Sequence, residues 1–299
     1  MPRRHARPPV LAGFSPAPGF DGVPLAPPQS EPVPFPHRKR CKTFMGPYLE
    51  CGMEWDEWKM VEALVTPHNT VLELGARYST TSCVLCRATN NSGFVLSVEP
   101  DAAIWRHTES NRRSHNCNFA LLKGVVSHAG PLVVDYHHGY ATSTRRALPN
   151  ESSTVVPHFD LSAAQARMGR KFDTLLIDCE GCIGTLLPAN DTAALAILSS
   201  ISLLLLEHDN PERVALDGGY SRFFALFRRA GLEQIWYTRD TYAPTQAWSR
   251  KLRHSAWRRG GLRGTGVAAA GPLPSCFEHA RRMAYGVKQL NCLPVAGRD

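Results

Sequence analysis

The sequence lacks any apolar run long enough to span a bilayer. Its longest, at 193–206, is interrupted by Ser199, Ser200 and Ser202, whereas a spanning helix needs about 20 apolar residues. Near the N-terminus the longest apolar stretch is Val10-Leu11-Ala12, which is far shorter than the core of a secretory signal. We therefore expect no transmembrane segment and a cytoplasmic location, with import into an organelle as the open alternative.

The sequence also lacks the cysteine spacing of a structural zinc site. Its nine cysteines include two Cys-x-x-Cys pairs, Cys83/Cys86 and Cys179/Cys182. These pairs lie much further apart than the 15–20 residues or so that are typical of a zinc ribbon. We expect no metal site and reduced thiols, with Cys83 and Cys86 as small apolar residues on one helix face. A redox pair at Cys179/Cys182 stays open as an alternative, because these residues follow a strand.

Acidic residues are scarce in two basic segments. Residues 1–40 carry six Arg or Lys against two acids, and residues 250–263 carry six against none, within a formal net charge of +8. Since the basicity lies outside the predicted folded core, a nucleic-acid partner is disfavoured. Eleven prolines in residues 1–40 cannot support a packed core. We expect a disordered segment at 1–42, a folded domain at 43–238, a basic linker or loop at 239–275 and a C-terminal segment at 276–299 that packs on the domain.

Strand and helix signals alternate through the predicted domain. Helical spacing of apolar residues covers 54–65, and further helix signals cover 101–116 and 211–230. Short apolar runs predict buried strands at 71–74, 94–98, 121–126, 175–177 and 203–206. Such alternation predicts a doubly wound α/β fold, with a mainly parallel sheet and helices on both faces. The long interval 131–171, with a short strand at 154–156, is a candidate substrate-facing insertion.

Acidic residues follow four of these predicted strands, where a doubly wound fold binds its ligands. Gly75 ends the first strand, and its turn lets backbone amides approach a ligand, while Glu73 can receive an ammonium group. Glu99 ends the second strand and can accept hydrogen bonds from both hydroxyls of a ribose. Asp178 with Glu180, and Glu207 with His208, follow the fourth and fifth strands. This order predicts a site for a nucleoside-bearing cofactor.

The strand ends resemble the successive blocks of FkbM-type methyltransferases over about residues 70–235. The matching segments are Glu73-Leu74-Gly75-Ala76, Val98-Glu99-Pro100-Asp101 with Asn111, Ile177-Asp178-Cys179-Glu180-Gly181 and Leu206-Glu207-His208. This resemblance implies a Rossmann-like class I methyltransferase sheet of seven strands that binds S-adenosylmethionine. It also implies cofactor contacts from Glu73, Gly75, Ala76, Glu99, Gly124, Val125 and Asp178, and places Asp178, Glu180 and His208 near the transferred methyl group.

The expected reaction is transfer of the methyl group to a hydroxyl of a sugar or other small metabolite. Asp178 or His208 is the candidate base, and Glu180 either orients the acceptor or caps the next helix. The family usually has Asn where Arg77 stands and Gly where Ser79 stands. These departures leave open a binding module that does not catalyse. A nicotinamide-dependent oxidoreductase that uses Glu99 is a second alternative, disfavoured by the missing glycines after Gly75. The sequence indicates no oligomeric state.

Overall fold

The computed structural model describes residues 44–46, 54–130, 132–136, 142–148, 155–239 and 253–260. The expectations for 1–42 and 276–299 lie outside these residues, as does most of 239–275. The helices are α1 (Trp55–Leu64), α2 (Thr80–Ala88), α3 (Ala102–Ser114), α4 (Leu161–Met168), α5 (Ile183–Leu186), α6 (Asp191–Leu198), α7 (Pro211–Ala215) and α8 (Gly219–Arg229). The strands are β1 (Val71–Leu74), β2 (Val95–Glu99), β3 (Ala120–Lys123), β4 (Val125–Val126), β5 (Leu132–Tyr136), β6 (Thr142–Arg146), β7 (Val155–Val156), β8 (His158–Phe159), β9 (Thr174–Ile177), β10 (Leu203–Glu207), β11 (Leu232–Arg239) and β12 (Arg253–Arg259).

Seven strands form the main sheet in the order β11-β12-β10-β9-β1-β2-β3. The pairs β1–β2, β1–β9, β9–β10 and β2–β3 are parallel, and β12 runs antiparallel to both β10 and β11. Sequence order reverses at β1, because β2 and β3 extend the sheet on one side and β9 and β10 extend it on the other. The predicted doubly wound, mainly parallel sheet is confirmed.

The central strands are nearly continuous runs of apolar residues because both faces of the sheet are covered. Every residue of β1, β2 and β9 is buried. One apolar core joins Leu72 and Leu74 of β1 to side chains of α5, α6 and α8. A second core joins Val71 of the same strand to side chains of α1 and α2. Successive residues of β1 thus point to opposite layers of helices.

Side-chain caps and glycines mark the ends of several helices. The Asp101 side chain accepts a hydrogen bond from the backbone N–H of Ala103 and caps α3. Gly169 ends α4 in the left-handed conformation, which glycine adopts without a steric penalty. The single helix expected at 211–230 is divided into α7 and α8, because Gly218 and Gly219 both have positive φ. No helix in the described ranges has the length and apolar character needed to cross a membrane.

Residues 253–259 correct the expectation of a loop or linker at 239–275. They form β12, which pairs with β10 and β11 inside the main sheet. Ala256 and Trp257 are fully buried. The Arg259 guanidinium donates hydrogen bonds to the backbone carbonyls of Leu198 and Ile201. Part of the basic segment is therefore a structural strand whose charges stay at its ends.

The insertion between β3 and α4 forms small sheets beside the main one. Strand β5 pairs antiparallel with β6 and β7, and β4 pairs parallel with β8. The short strand expected at 154–156 is present as β7, but it belongs to this three-stranded sheet. The expected strand at 121–126 is divided into β3 and β4 at Gly124. The insertion therefore forms two small sheets that are separate from the main sheet.

Candidate active site

A cleft of about 620 Å³, including space open to solvent, lies at the carboxyl ends of β1, β2 and β9. This is the point where sequence order reverses across the sheet, which is the usual ligand site of a doubly wound fold. Strands β4 and β6 complete its walls. Its lining includes most of the residues predicted from the sequence for binding and catalysis: Gly75, Glu99, Val125, Asp178 and Glu180.

Gly75 allows the first strand to turn against its neighbour. Its φ is +101°, and a Cβ atom at this position would lie 1.6 Å from the carbonyl oxygen of Asp178. The amides of Gly75 and Ala76 both donate to the Val98 carbonyl, at 3.1 and 3.0 Å. Ala76 is buried behind the turn and does not line the cleft. A side chain at residue 75 would therefore force β1 and β9 apart.

Glu99 presents a buried carboxylate to the cleft. Its Oε2 accepts a hydrogen bond from the Arg77 backbone N–H at 2.7 Å, and its Oε1 accepts one from the Asp101 N–H at 2.8 Å. Burial raises the pKa of Glu99 to about 7, against the lowering effect of the Arg77 charge. Since each carboxylate oxygen can accept more than one hydrogen bond, Glu99 keeps acceptor capacity for two hydroxyls.

Arg77 and Ser79 depart from the family pattern in residue type but have the left-handed backbone suited to asparagine and glycine. Their φ values are +40° and +63°. The Arg77 guanidinium lines the cleft and donates to Thr142 Oγ1 at 3.0 Å, and its contact with Asp101 Oδ2 measures 3.4 Å. Arg77 thus links the β1 turn to the insertion and narrows the cleft between them.

The wall beyond Glu99 is apolar. Val125 and Val126 line it, and Pro100 follows Glu99 on the same side. Gly124 lies outside the lining, and a Cβ atom there would come within 2.3 Å of the Pro157 carbonyl oxygen. The Gly124 amide donates to the Glu99 carbonyl at 3.0 Å. This wall can accept a flat apolar ring next to the Glu99 carboxylate.

Asp178 and Glu180 form the opposite, acidic side of the cleft. Burial raises the pKa of Asp178, and the charge of Glu207 raises it further. Burial also raises the pKa of Glu180, against the Arg77 charge. Glu180 has a φ of +55°, and its amide and that of Gly181 donate to the Asp209 carboxylate. Helix α5 has no side-chain cap, so Glu180 does not cap that helix.

Two disulfides correct the expectation of reduced thiols. Cys179 and Cys182 are bonded to each other, and both line the cleft on either side of Glu180. Cys83 is bonded to Cys117 and so ties α2 to the segment before β3. Cys86 is buried and free. Cys83 and Cys86 both lie in the apolar core beside α2, as expected, but Cys83 does so as half of a disulfide.

Glu73 and His208 lie outside the cleft lining. Glu73 Oε2 accepts a hydrogen bond from Ser82 Oγ of α2 at 2.6 Å, and burial raises the pKa of Glu73 to about 8. Its role toward an ammonium group stays a prediction. His208 Nε2 is hydrogen-bonded to Ser255 Oγ at 2.7 Å, and its ring stacks on Tyr220. Burial lowers the pKa of His208 to about 3, so its position does not support a role as base.

Sequence reasoning missed the contributions of α1 and β6. Glu54, which precedes α1, accepts hydrogen bonds from the hydroxyls of Thr80 and Thr81 at the first turn of α2. Thr144 of β6 lines the cleft beside Thr142. The three-residue spacing of Glu54 and Glu57 at the start of α1, which puts both acids on one side of the helix, was the available signal. The threonines of β6 gave no comparable signal in the sequence.

Comparisons with known proteins found similar structures but no similar sequences. No protein-family model and no curated protein matches the chain. An O-methyltransferase from Bacillus cereus in complex with SAH is 15% identical, with 68% of this chain and 81% of that chain covered and a TM-score of 0.39. Precorrin-6y C5,15-methyltransferase from Geobacter metallireducens is 10% identical, with 73% and 94% covered and a TM-score of 0.42. Fibrillarin from Aeropyrum pernix with natively bound S-adenosyl-L-methionine is 11% identical, with 68% and 74% covered and a TM-score of 0.39.

The strand order and strand directions define the class of the fold. An order of 3-2-1-4-5-7-6 along the sheet, with only the last strand in sequence antiparallel, is that of the class I methyltransferase fold. Here these positions are held by β3, β2, β1, β9, β10, β12 and β11, and β12 is the antiparallel strand. The chain therefore has a Rossmann-like class I methyltransferase fold.

Proposed function

We propose that the chain is an S-adenosylmethionine-dependent O-methyltransferase of the FkbM type that acts on a hydroxyl of a sugar or other small metabolite. One observation carries the proposal: Gly75, Glu99, Asp178 and Glu180 line a single cleft at the carboxyl ends of adjacent parallel strands. These residues come from three separate blocks of the family resemblance. Their convergence on one cleft supports a shared ligand.

The cleft offers groups that suit the parts of the cofactor. Glu99 would accept the ribose hydroxyls with the lone pairs that its two backbone hydrogen bonds leave free. Val125 and Val126 would contact the adenine, while the backbone at Gly75, which also lines the cleft, would face the amino-acid end. When bound, S-adenosylmethionine supplies an electrophilic methyl group on a sulfonium.

Asp178 and Glu180 would hold the acceptor on the acidic side of the cleft. Holding the acceptor oxygen close to the methyl group would supply much of the rate. Asp178, in its ionised form, would accept the proton of the acceptor hydroxyl. Glu180 would orient the acceptor through a hydrogen bond. We prefer Asp178 to His208 as base because Asp178 lines the cleft, whereas His208 lies outside the lining and is hydrogen-bonded to Ser255.

The disulfides bear on the compartment in which the protein acts. Cys83–Cys117 and Cys179–Cys182 would be reduced by the thiol systems of the cytosol. An oxidising compartment is therefore a better proposal than the cytoplasm expected from the sequence. In such a compartment the Cys179–Cys182 bond would fix the loop that carries Glu180.

The ribose role of Glu99 can be tested by calorimetric titration of S-adenosylmethionine into the wild type and Glu99→Gln. Because hydrogen bonds to a charged group contribute about 1.5–3 kcal/mol each, the variant should bind at least tenfold more weakly at a pH above about 7, where Glu99 is ionised. Glu109→Gln is the matched control, since Glu109 lies on α3 outside the cleft and pairs with Lys123. Equal affinity of the wild type and Glu99→Gln would refute the role.

A second ligand separates a direct contact from a disturbed loop. S-adenosylhomocysteine and its 2′-deoxyribose analogue should differ in affinity for the wild type. They should bind Glu99→Gln nearly equally, because the variant lacks the carboxylate that would contact the 2′-hydroxyl. Transfer of labelled methyl groups to a panel of carbohydrates and hydroxylated metabolites separates an enzyme from a binding module. Cofactor binding without transfer to any acceptor would favour the binding module.

A further inference from the structure

Three carboxylates from three different elements meet beside the cleft. Glu57 comes from α1, Asp178 follows β9 and Glu207 ends β10. One oxygen of each lies within 4.8 Å of the oxygens offered by the other two. Asp178 and Glu207 are hydrogen-bonded to each other, which requires a proton between them. A cation could take the place of that proton, because like charges at such distances otherwise repel each other strongly.

One carboxylate oxygen of Glu57 lacks a hydrogen-bond partner among the residues that the structure describes. The Glu57 side chain is buried, with 2% of the residue exposed. Its Oε2 accepts a hydrogen bond from Thr81 Oγ1 at 3.1 Å, whereas its Oε1 is enclosed and has no partner in the described ranges. A buried polar atom without a partner costs about 1–3 kcal/mol. A positively charged ligand among the three carboxylates would satisfy it.

We propose that Glu57, Asp178 and Glu207 bind one divalent cation of the magnesium, manganese or calcium class. Carboxylate oxygens are the ligands that these hard ions prefer. Two ligands of one ion are separated by at most twice the ion–oxygen distance, which is about 4.2 Å for magnesium and about 4.6–5.2 Å for calcium. The spacing of the three oxygens fits this range with little movement. The expectation of no metal site considered only the cysteine pairs, and these carboxylates lie far apart in the sequence.

The cation site adjoins the cleft through Asp178, which lines it. Since a carboxylate has two oxygens, Asp178 can bind the ion with one and contact the acceptor with the other. A cation here would draw the acceptor oxygen toward Asp178 and stabilise negative charge on it. This last role rests on the proposed function, whereas binding of the ion does not. His254, whose Nε2 lies 3.4 Å from Glu207 Oε1, would support that ligand from behind.

Titration of manganese into the wild type, Glu57→Gln and Glu62→Gln tests the proposal, with calorimetry and the electron paramagnetic resonance of free Mn²⁺ as readouts. Glu62 lies on the same helix outside the cluster and contacts Arg87, so Glu62→Gln is the matched control. The wild type and the control should bind one Mn²⁺, which Mg²⁺ or Ca²⁺ displaces. Glu57→Gln should bind at least about tenfold more weakly, since losing even an outer-sphere partner of a metal costs that much.

Glu207→Gln is the second variant, in case Glu57→Gln unfolds, and it should show the same loss. Unchanged Mn²⁺ affinity in the folded variants, or no binding by the wild type at millimolar Mn²⁺, would overturn the proposal. S-adenosylmethionine is titrated into the same samples. Cofactor binding without Mn²⁺ binding would refute the cation site alone, and Mn²⁺ binding without cofactor binding would refute only the proposed function.

Discussion

Among the individual residues, Glu73 makes the stability of the fold depend on pH. Burial raises its pKa from 4.5 to about 8, although hydrogen bonds from serine side chains lower it. Between pH 4.5 and about pH 8, Glu73 holds a proton in the folded chain but has released it in the unfolded chain. The contribution of Glu73 to stability is therefore fully present below about pH 4.5 and is lost as the pH rises toward about 8.

Glu73→Gln should remove this dependence, because glutamine keeps an acceptor for Ser82 and does not ionise. The free energy of unfolding of the wild type, taken relative to the variant, should fall by up to about 5 kcal/mol between about pH 5 and pH 9. Urea unfolding of both proteins across this pH range measures the difference. A difference that does not change with pH would contradict the raised pKa.

Residue-level prediction worked where the sheet itself positions the side chain. Gly75, Glu99 and Asp178 follow parallel strands, so their positions at one edge follow from the strand pattern alone. His208 also follows a strand, but its ring turns toward Tyr220 and Ser255. Side-chain direction beyond a strand end depends on tertiary packing, which the sequence pattern does not encode.

At the level of elements, the Cys83–Cys117 disulfide fastens α2 to the segment that leads into β3. The two cysteines are 34 residues apart, whereas Cys179 and Cys182 are 3 apart. A cross-link restricts the unfolded chain more when it closes a longer loop. The first disulfide should therefore stabilise the fold more than the second.

Replacing Cys83 and Cys117 together by alanine should lower the free energy of unfolding by about 3–4 kcal/mol. The matched double substitution of Cys179 and Cys182 should cost about 2 kcal/mol, because its loop is shorter. Urea unfolding of the oxidised proteins measures both losses. Equal losses, or a larger loss for the second pair, would argue against loop closure as the source of stability.

Elements with an apolar run could be predicted, and elements held by tertiary contacts could not. Strands β1, β9 and β10 lie where such runs end at turn residues. Strand β12 escaped prediction because its sequence, Arg253 to Arg259, is rich in arginine and has no long apolar run. Its buried Ala256 and Trp257 lie between β10 and β11, which both pair with β12. Only the paired sheet explains why this basic segment is a strand.

For the molecule as a whole, the sheet determines where the cleft lies, and the segments around the sheet supply many of the side chains that surround it. Thr142 of the insertion contacts Arg77 of the first turn, and Glu57 of α1 meets Asp178. These pairs join residues far apart in the sequence and belong to no local motif. The fold class and the residues at the strand ends of the cleft were therefore predictable, while the contributions of α1 and the insertion required the structure.

The most direct test of the central claim is a calorimetric comparison of S-adenosylmethionine and NAD⁺ on the wild-type protein. Both ligands carry an adenosine whose ribose could reach Glu99, but only the first matches a class I methyltransferase cleft that turns at one glycine, Gly75. We predict one-to-one binding of S-adenosylmethionine and no measurable binding of NAD⁺. Binding of NAD⁺ with no binding of S-adenosylmethionine would contradict the proposed function.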